Sequence, residues 1–414
     1  MTKRRSLNLE LLLVLGVLAA LVGLYRVNYL YSQQQPGGND FLARWMGARY
    51  WLIEGISPYD ERVSLATQIV IYGRPADKTK GEDIAHFVYP LPVMIFIAPF
   101  AFFEYTIARA LWMTLLELCM VALIVLGFRL AEWHVRPGKL AVFLLLFLLG
   151  YYSIRAIILG QYAVINALLI LLSLLALRRK NDFMAGLLLA LSLCKPQMVF
   201  LYVPFVFIWA FSQRRWDIFG GFFGGGGVIL AISLMFIPDW PLQMIRQILD
   251  YPTYTGDSSP LSILASLTPG VRRQVELILY GGSLGYLLVE WGYAWKKDYP
   301  HFLWVAFLTL VMNHLVAYRS ATTHYILFYP AMCLIFRVLE ERWRRIGRWL
   351  VGSIVLVWFV GSWLLFLYTV QGNQEHALMF IPFPFLVLFG LWWIRWWQIR
   401  PPVTILETIR NKVE

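Results

Sequence analysis

The stretch that decides the fold is residues 9–30, which read LELLLVLGVLAALVGLYRVNYL and follow the basic tripeptide Lys3-Arg4-Arg5. An apolar run of this length crosses a hydrocarbon core of about 30 Å as a helix that rises about 1.5 Å per residue. The run is too long for a secretory signal, and no small-residue cleavage site follows it. We therefore expect a permanent membrane anchor with a cytoplasmic N-terminus.

Similar runs recur along the chain, which has 414 residues of which 59% are hydrophobic and 14% charged. Lipid offers no hydrogen-bond partners to a backbone, so each run is expected to form a helix. We predict an all-α, polytopic membrane protein that forms a single integral membrane domain over residues 1–414. After the first span, the candidate spans are residues 87–103, 107–130, 139–158, 161–177, 183–195, 197–212, 218–237, 272–293, 302–317, 324–338, 348–370 and 377–397.

Basic clusters orient these spans, because Lys and Arg accumulate on the cytoplasmic side of membrane proteins. The clusters are Arg178-Arg179-Lys180, Arg214-Arg215, Lys296-Lys297, residues 337–348 and residues 395–400. Full crossings by every candidate span cannot place all clusters on one side. Either one run between His86 and Ile158 is re-entrant, which we favour, or residues 183–212 form one long kinked helix. Both solutions give about 12 transmembrane helices (11–13) and a cytoplasmic C-terminus.

This topology divides the chain into a first span (9–30), a long extracytoplasmic loop with an interfacial helix (31–86) and central spans (87–237). An extracytoplasmic loop (238–270), C-terminal spans (271–397) and a cytoplasmic tail (398–414) complete it. The aromatic segment from Phe41 to Leu52 is the expected interfacial helix. The glycine run from Gly220 to Gly227 is expected to be a face for close helix packing, not a phosphate-binding loop.

The formal net charge of +12 reports this topology and does not indicate a nucleic-acid partner, since no soluble stretch is long enough for such a module. Cys119, Cys194 and Cys333 lie in or beside apolar runs without metal-ligand spacing, so we interpret them as core- or lipid-facing residues.

Asp40 is the acidic residue nearest the end of the first span. A single carboxylate at a membrane surface can take a proton from an incoming hydroxyl group when its surroundings tune its pKa. The structural alternative is an N-cap for the following helix, a role that Asp fills well. No second carboxylate lies within a few residues, so the loop lacks the acidic pair that holds a divalent metal. We expect no metal and no cofactor.

Four basic residues stand in apolar surroundings or beside them, where a cation usually faces a cavity or an anion. Lys195 precedes Pro196, and Arg155 precedes Gly160-Gln161. Arg319 and His324 flank a short polar loop. The structural alternatives are snorkelling to the interface for the long side chains and helix capping for His324. Several cations on one membrane face favour a site for a lipid phosphate or pyrophosphate.

Several short motifs appear in a fixed order. Asp40 is followed by Ala48-Arg49-Tyr50-Trp51, by Gly55-Ile56-Ser57-Pro58-Tyr59 and by Val88-Tyr89-Pro90-Leu91-Pro92. This order resembles the start of multi-pass glycosyltransferases of the GT-C superfamily. Gly160-Gln161 with Asn166, the stretch from Ala185-Gly186 to Lys195-Pro196, and Thr323-His324-Tyr325 resemble glycosyltransferase family 87, the DUF2029 type. That type includes polyprenyl-phosphomannose-dependent alpha-1,2-mannosyltransferases.

The resemblance implies a GT-C-like architecture in the plasma membrane and an inverting transfer of a sugar, by family analogy mannose. The donor would be a polyprenyl-phosphate sugar, and the acceptor a hydroxyl group of a lipid or glycan of the cell envelope. Asp40 matches the catalytic base of the first loop. Lys195, His324, Arg319 and Arg155 would bind the donor phosphate, and Gln161, Asn166, Tyr89 and Tyr59 would bind substrate.

A transporter or flippase of lipid-linked sugars is the main alternative, since it would use the same cations without needing Asp40 as a base. Inverted repeats or paired broken helices would favour it, and the sequence has neither. A membrane scaffold without catalytic function is a third alternative, which the cations within apolar runs disfavour.

Overall fold

The computed structural model describes residues 2–35, 37–250, 259–317, 319–371 and 375–399, and it describes side chains from residue 14 onward. Helices account for nearly all regular structure in these ranges, and none of them contains a strand. The all-α prediction is therefore confirmed for the described residues. The helices are α1 (Thr2–Gln34), α2 (Asn39–Glu54), α3 (Glu61–Tyr72), α4 (Met94–Ile97), α5 (Tyr105–Leu130), α6 (Pro137–Leu148), α7 (Tyr151–Leu159), α8 (Ala163–Arg178), α9 (Asp182–Ser192), α10 (Tyr202–Ser212), α11 (Asp217–Phe219), α12 (Gly226–Phe236), α13 (Trp240–Asp250), α14 (Pro260–Ser266), α15 (Arg272–Tyr293), α16 (Tyr299–Val316), α17 (Tyr329–Thr369) and α18 (Pro382–Ile399).

Six helical runs among the described residues are long and apolar enough to cross a membrane. They are Val14–Gln34, Tyr105–Leu130, Asp217–Phe236, Tyr299–Val316, Thr322–Thr369 and Ala377–Ile399. The pair α6 and α7 also passes together but is bent by 55°, as in a broken span or a re-entrant loop. The structure thus supports a multi-pass membrane protein, whereas the number of about 12 crossings stays a prediction.

The longest of these runs is interrupted at Arg344, whose φ of 44° and ψ of −106° are not helical. A Cβ atom added to Gly347 would lie 2.2 Å from the carbonyl oxygen of Leu339. Residues eight apart are about 12 Å apart along a straight helix, so the chain must reverse here. The predicted separate spans on either side of residues 337–348 agree with this break.

The region predicted as two short spans around Lys195 consists of α9 and α10, joined by a 3-10 turn at Pro196–Met198. The alternative of a single long kinked helix over residues 183–212 is wrong, because the helix ends at Ser192 and restarts at Tyr202. α9 and α10 are each 11 residues long, shorter than the roughly 20 needed to cross a bilayer.

The glycine run adopts a π-helix at Gly220–Gly225. A Cβ atom on Gly221 would lie 2.0 Å from the carbonyl oxygen of Phe183, and one on Gly186 would lie 2.0 Å from that of Ile218. Only glycine allows backbones to approach this closely. The predicted packing face between this run and α9 is confirmed.

The chain forms two compact units. Unit 1 comprises Met1–Met120, Ile154–Ile165 and Leu230–Gly256, and unit 2 comprises Val121–Ser153, Asn166–Ile229 and Asp257–Glu414. The predicted interfacial segment lies in unit 1 as α2, and 7 of its 16 residues are buried, all between Phe41 and Ala48. Residues 52–54 at its C-terminal end are exposed, and the location of α2 at the membrane interface stays a prediction.

Several side-chain contacts hold the polar segment after α2 within unit 1. The Asp60 carboxylate caps α3 by accepting a hydrogen bond of 2.9 Å from the backbone N–H of Arg62. Hydrogen bonds from the Arg62 side chain and backbone hold the pKa of Asp60 below its ordinary value. Gln247 of α13 donates to the carbonyl of Tyr59 at 3.0 Å and accepts from the N–H of Val88 at 3.1 Å. These contacts anchor the polar face of α13 on the first loop.

Candidate active site

Asp40 lies in the first turn of α2 and is half-buried. The N-cap of this helix is Gly38, which adopts a left-handed conformation with φ of 71° and provides no side-chain cap. The interpretation of Asp40 as the N-cap is therefore wrong. No hydrogen bond or ion pair joins the Asp40 carboxylate to another residue that the structure describes. The carboxylate sits where the helix dipole favours negative charge.

The backbone just before Asp40 is held by two side chains of α5. The Tyr105 hydroxyl donates to the carbonyl of Gly37 at 2.7 Å, and Arg109 donates to that of Gln35 at 2.6 Å. Arg109 is only 2% exposed, so its hydrogen bond acts in poorly hydrated surroundings. These contacts fix the direction in which the chain enters α2.

The residue after Asp40 is held by the turn between α7 and α8. Phe41 stacks on Trp112 with ring centroids 4.9 Å apart, and the Trp112 indole donates to the carbonyl of Gly160 at 2.9 Å. Gly160 has φ of 70°, and a Cβ atom added to it would lie 2.5 Å from the Cβ of Phe41. Glycine is required here both by its φ and by this close approach. The Gly160-Gln161 motif thus supports the first turn of α2.

Two of the predicted substrate-binding tyrosines contact each other in unit 1. The Tyr59 hydroxyl donates to the carbonyl of Tyr89 at 2.6 Å, and both side chains are buried. The Arg44 guanidinium lies over the Tyr89 ring at 4.5 Å, and Tyr162 packs edge-on against that ring at 6.0 Å. Arg44 is one helical turn beyond Asp40, on the same face of α2. Sequence reasoning missed Arg44, although its spacing from Asp40 is the signal that identifies it.

The other predicted residues of unit 1 lie in α7 and in the turn between α7 and α8. Arg155 belongs to α7 and is half-buried, and Gln161 follows Gly160 and is buried. Unit 1 therefore contains Asp40, Tyr59, Tyr89, Arg155 and Gln161.

Unit 2 contains the remaining predicted residues, and Lys195 is the most informative of them. It lies between α9 and the 3-10 turn at Pro196–Met198, and it is 2% exposed. The alternative of a lysine that snorkels to the interface is therefore wrong. The following turn is held by Asn313, whose side chain donates to the carbonyl of Gln197 at 2.8 Å and accepts from the N–H of Leu201 at 2.9 Å.

Two buried histidines interact electrostatically with Lys195. They are His314, near the end of α16, and His324, in the 3-10 segment Thr322–Phe328, with ring centroids 5.8 Å apart. His314 Nδ1 lies 2.8 Å from the carbonyl oxygen of Leu310, so this nitrogen carries the proton. His314 Nε2 then has a lone pair that no described residue occupies. We call Lys195, His314 and His324 the cationic cluster.

His324 also caps its own segment, because its Nδ1 accepts a hydrogen bond of 3.4 Å from the backbone N–H of Ala321. The capping alternative is thus supported, but the contact is long and leaves the rest of the ring for other interactions. Asn166, at 0% exposure, donates to the sulfur of Met198 at 3.7 Å, and its side-chain oxygen has no partner among the described residues. Asn166 therefore belongs beside the turn that follows Lys195.

The 3-10 segment that carries His324 is hydrogen-bonded to a carboxylate that is far from it along the sequence. Thr322 donates to Glu375 at 2.5 Å, and the Tyr151 hydroxyl donates to the same carboxylate oxygen. Arg319, half-buried, lies three residues before the start of this segment. Sequence reasoning missed His314 and Glu375. An Asn313-His314 pair inside an apolar helix was the available signal for His314, whereas Glu375 offers none.

A metal site has no ligand set in the part of the chain that the structure describes. No group of three or more His, Cys, Asp or Glu side chains there could hold a metal ion. The imidazole nitrogens of the cationic cluster are potential metal ligands, but they share the cluster with a lysine ammonium, whose positive charge repels metal cations. This chemistry suits an anion.

Comparison with known proteins decides the family. The model of glycosyltransferase family 87 matches residues 87–318, which is more than half of the chain. The chain belongs to glycosyltransferase family 87. Membership in this family indicates a glycosyltransferase and confirms the resemblance to family 87, whereas the mannosyltransferase specificity stays a prediction. No curated protein and no solved structure matches the chain.

The family 87 region includes Tyr89, Arg155, Gln161, Asn166 and Lys195, together with His314. Asp40 and Tyr59 precede the matched region, and Arg319 and His324 follow it. A transferase of this family requires a sugar donor and an acceptor, and the multiple apolar helices place it in a membrane.

Proposed function

We propose that this family 87 glycosyltransferase moves a sugar from a polyprenyl-phosphate donor to a hydroxyl group of a lipid or glycan acceptor with inversion at the anomeric carbon. The observation that carries the proposal is the burial of the cationic cluster in unit 2 of a membrane protein. Ionisable groups buried in a membrane protein commonly mark a substrate or ion site, and a lysine ammonium suits an anionic substrate. A sugar phosphate that reaches the protein through the bilayer supplies such an anion.

Asp40 is the proposed catalytic base. In one displacement, the acceptor oxygen forms a bond to the anomeric carbon while the bond from that carbon to the phosphate oxygen breaks. The acceptor proton passes to the Asp40 carboxylate, and polyprenyl phosphate leaves with the bonding electron pair. A carboxylate that neither caps its helix nor bonds to another described residue suits this role.

Lys195 and His324 are proposed to bind the donor phosphate, assisted by Arg319 and Arg155. Positive and hydrogen-bonding groups that are fixed before the reaction stabilise the charge that develops on a leaving phosphate. The hydrogen bonds of Asn313 to the turn after Lys195 supply that rigidity. His314, which sequence reasoning missed, is not counted among the phosphate ligands, because its Nδ1 proton is used by the Leu310 carbonyl and its Nε2 offers only an acceptor.

Gln161, Asn166, Tyr89 and Tyr59 are proposed to shape the substrate sites. Tyr59 acts through Tyr89, because its hydroxyl is committed to the Tyr89 carbonyl. We further propose mannose as the sugar, the extracytoplasmic face of the plasma membrane as the location of the reaction and cytoplasmic chain termini. The family resemblance and the basic clusters support these assignments.

The test is to reconstitute the purified protein in lipid and offer polyprenyl-phosphate mannose, glucose and galactose with a membrane acceptor extract. Release of polyprenyl phosphate together with a glycosylated product supports the proposal, and the anomeric configuration of the product reports inversion. A parallel reaction in chelator should run at the same rate, since the transfer is proposed to need no divalent metal. Activity that requires Mg²⁺ or Mn²⁺ would contradict that part.

The family match lends no support to the transporter alternative. The same reconstituted vesicles distinguish the two functions, because a flippase would move the intact donor across the bilayer and release no polyprenyl phosphate. Movement without release would overturn the proposed transfer.

A further inference from the structure

Unit 2 contains a cavity of about 390 Å³ that is remote from the cationic cluster. Tyr299 lines this cavity, and His314 lies 15 residues further along the same helix, about 22 Å away at 1.5 Å per residue. We call it the arginine cavity. Its lining is Leu130, Ala131, Glu132, Arg178, Tyr299, Pro300, Leu303, Leu334, Arg337, Val338, Glu341, Arg342, Trp397 and Gln398.

The arginine cavity lies at the level of a membrane surface. The candidate span Tyr105–Leu130 ends at it, Tyr299–Val316 begins at it, and Ala377–Ile399 ends beside it. Three span ends in one cavity place it where lipid headgroups lie. Its walls combine arginines with apolar side chains such as Leu303, Leu334 and Val338. A ligand that is anionic at one end and apolar at the other fits this lining.

Arg337 lines the cavity with N–H donors that its protein contacts do not use up. Its guanidinium makes a hydrogen bond of 2.8 Å to Gln398, whereas the carboxylates of Glu132 and Glu341 lie at 3.8 and 3.9 Å, too far for strong hydrogen bonds. Its Nε is buried and has no hydrogen-bond partner among the described residues. A guanidinium has five N–H donors in a fork that matches phosphate.

The carboxylates do not neutralise this site. The side chains of Glu132 and Glu341 are 51% and 63% exposed, whereas that of Arg337 is 18% exposed. Solvent screens the exposed carboxylates more than it screens the arginine. Arg178 is committed to Glu132 and to the carbonyls of Arg129 and Leu130, so the Glu132 carboxylate already has a cationic partner other than Arg337. Arg342 is exposed and stands over the Trp397 ring at 5.7 Å.

We propose that the arginine cavity binds the phosphate headgroup of an anionic membrane lipid, with Arg337 and Arg342 as the phosphate ligands and Leu303, Leu334 and Val338 against the acyl chains. Basic pockets at the ends of transmembrane helices are suited to such headgroups. This site goes beyond the proposed transfer reaction, because it lies at the other end of α16 from the cationic cluster.

The test is native mass spectrometry of the full-length protein in detergent, titrated with phosphatidylglycerol, phosphatidylcholine, diacylglycerol or glycerol phosphate. Phosphatidylglycerol should bind about ten-fold more tightly than phosphatidylcholine, and Arg337→Gln should remove most of that difference. Glycerol phosphate distinguishes a lipid from a free phosphate: binding of it as tight as that of phosphatidylglycerol would overturn the lipid assignment. Equal binding of phosphatidylglycerol and diacylglycerol would overturn the phosphate assignment.

Two further variants keep the test decisive if Arg337→Gln fails to fold. Glu341→Gln removes a carboxylate 3.9 Å from Arg337 and should tighten phosphatidylglycerol binding several-fold. Arg342→Gln changes an exposed side chain and should weaken binding. The matched control is Arg345→Gln, an exposed arginine of the same run that does not line the cavity. An equal loss in the control would show that only general surface charge is involved, and no response to Glu341→Gln and Arg342→Gln would overturn the phosphate site in this cavity.

Discussion

Asp40 combines a position at the start of a helix with a carboxylate that no described residue uses. We expect Asp40→Asn to reduce transfer by about 10²- to 10⁴-fold, because an amide keeps the shape of the side chain but cannot accept the proton. Folding should be unaffected, since Gly38 and not Asp40 caps the helix. The measurement is release of polyprenyl phosphate together with the thermal unfolding temperature.

The matched control for Asp40 is Glu54→Gln, at the exposed C-terminal end of the same helix. It removes one carboxylate from α2 without touching the first turn. Turnover by Asp40→Asn at the rate of this control would remove Asp40 from the mechanism.

We expect substitutions of Lys195 and His324 to weaken donor binding to different extents. A charge-assisted hydrogen bond to phosphate is worth about 1.5–3 kcal/mol, so Lys195→Ala should raise the apparent donor constant by roughly ten- to hundred-fold. His324→Ala should do less, because a neutral imidazole offers one ordinary hydrogen bond. Donor titration at saturating acceptor measures both, with exposed Lys180→Ala as the control. An unchanged donor constant in Lys195→Ala would assign the lysine a structural role.

At the scale of elements, the turn between α7 and α8 supports the helix that bears Asp40. Gly160→Ala should destabilise the protein by about 1–3 kcal/mol and lower transfer, because the new methyl group meets Phe41 at 2.5 Å. Gly55→Ala is the matched control: Gly55 also has φ of 70°, but its Cβ would meet nothing within 4 Å. The free energy of unfolding of Gly55→Ala should therefore fall by only about 1 kcal/mol, which is the cost of the left-handed backbone conformation for alanine. Equal unfolding temperatures and activities in the two variants would show that the Phe41 contact is unimportant.

The same elements show what local sequence can predict. Asp40 and Lys195 stood out because each is a charge beside an apolar run, and the structure gives both special surroundings. Glu375 was not predictable, since its partners Tyr151 and Thr322 are far from it along the chain. Periodicity also could not distinguish a buried helix such as the 16-residue α8 from a span, because hydropathy alone does not reveal what surrounds a short apolar helix.

For the whole molecule, the basic clusters predict which surfaces face the cytoplasm. We expect Lys180→Cys and Lys296→Cys, both in exposed positions, to react with an impermeant thiol reagent only after the membrane is opened. Glu54→Cys, in the first loop region, should react in intact cells. All three variants are made in a protein in which Cys119, Cys194 and Cys333 have been replaced, and that cysteine-free protein is the negative control for labelling. Labelling of Lys180→Cys from outside would reverse the predicted orientation of the central helices.

The division into two units determines the order in which the protein can be completed during synthesis. Unit 1 is assembled from Met1–Met120, Ile154–Ile165 and Leu230–Gly256, so no contiguous segment of the chain contains it alone. At about 5–20 residues per second, Gly160 leaves the ribosome roughly 6–24 s after Asp40. During that interval the first turn of α2 lacks the Gly160 backbone, which Phe41 contacts and to which the Trp112 indole donates a hydrogen bond. The surroundings of Asp40 therefore stay incomplete until residues 154–165 have been made, and unit 1 as a whole stays incomplete until its last segment, Leu230–Gly256, has followed.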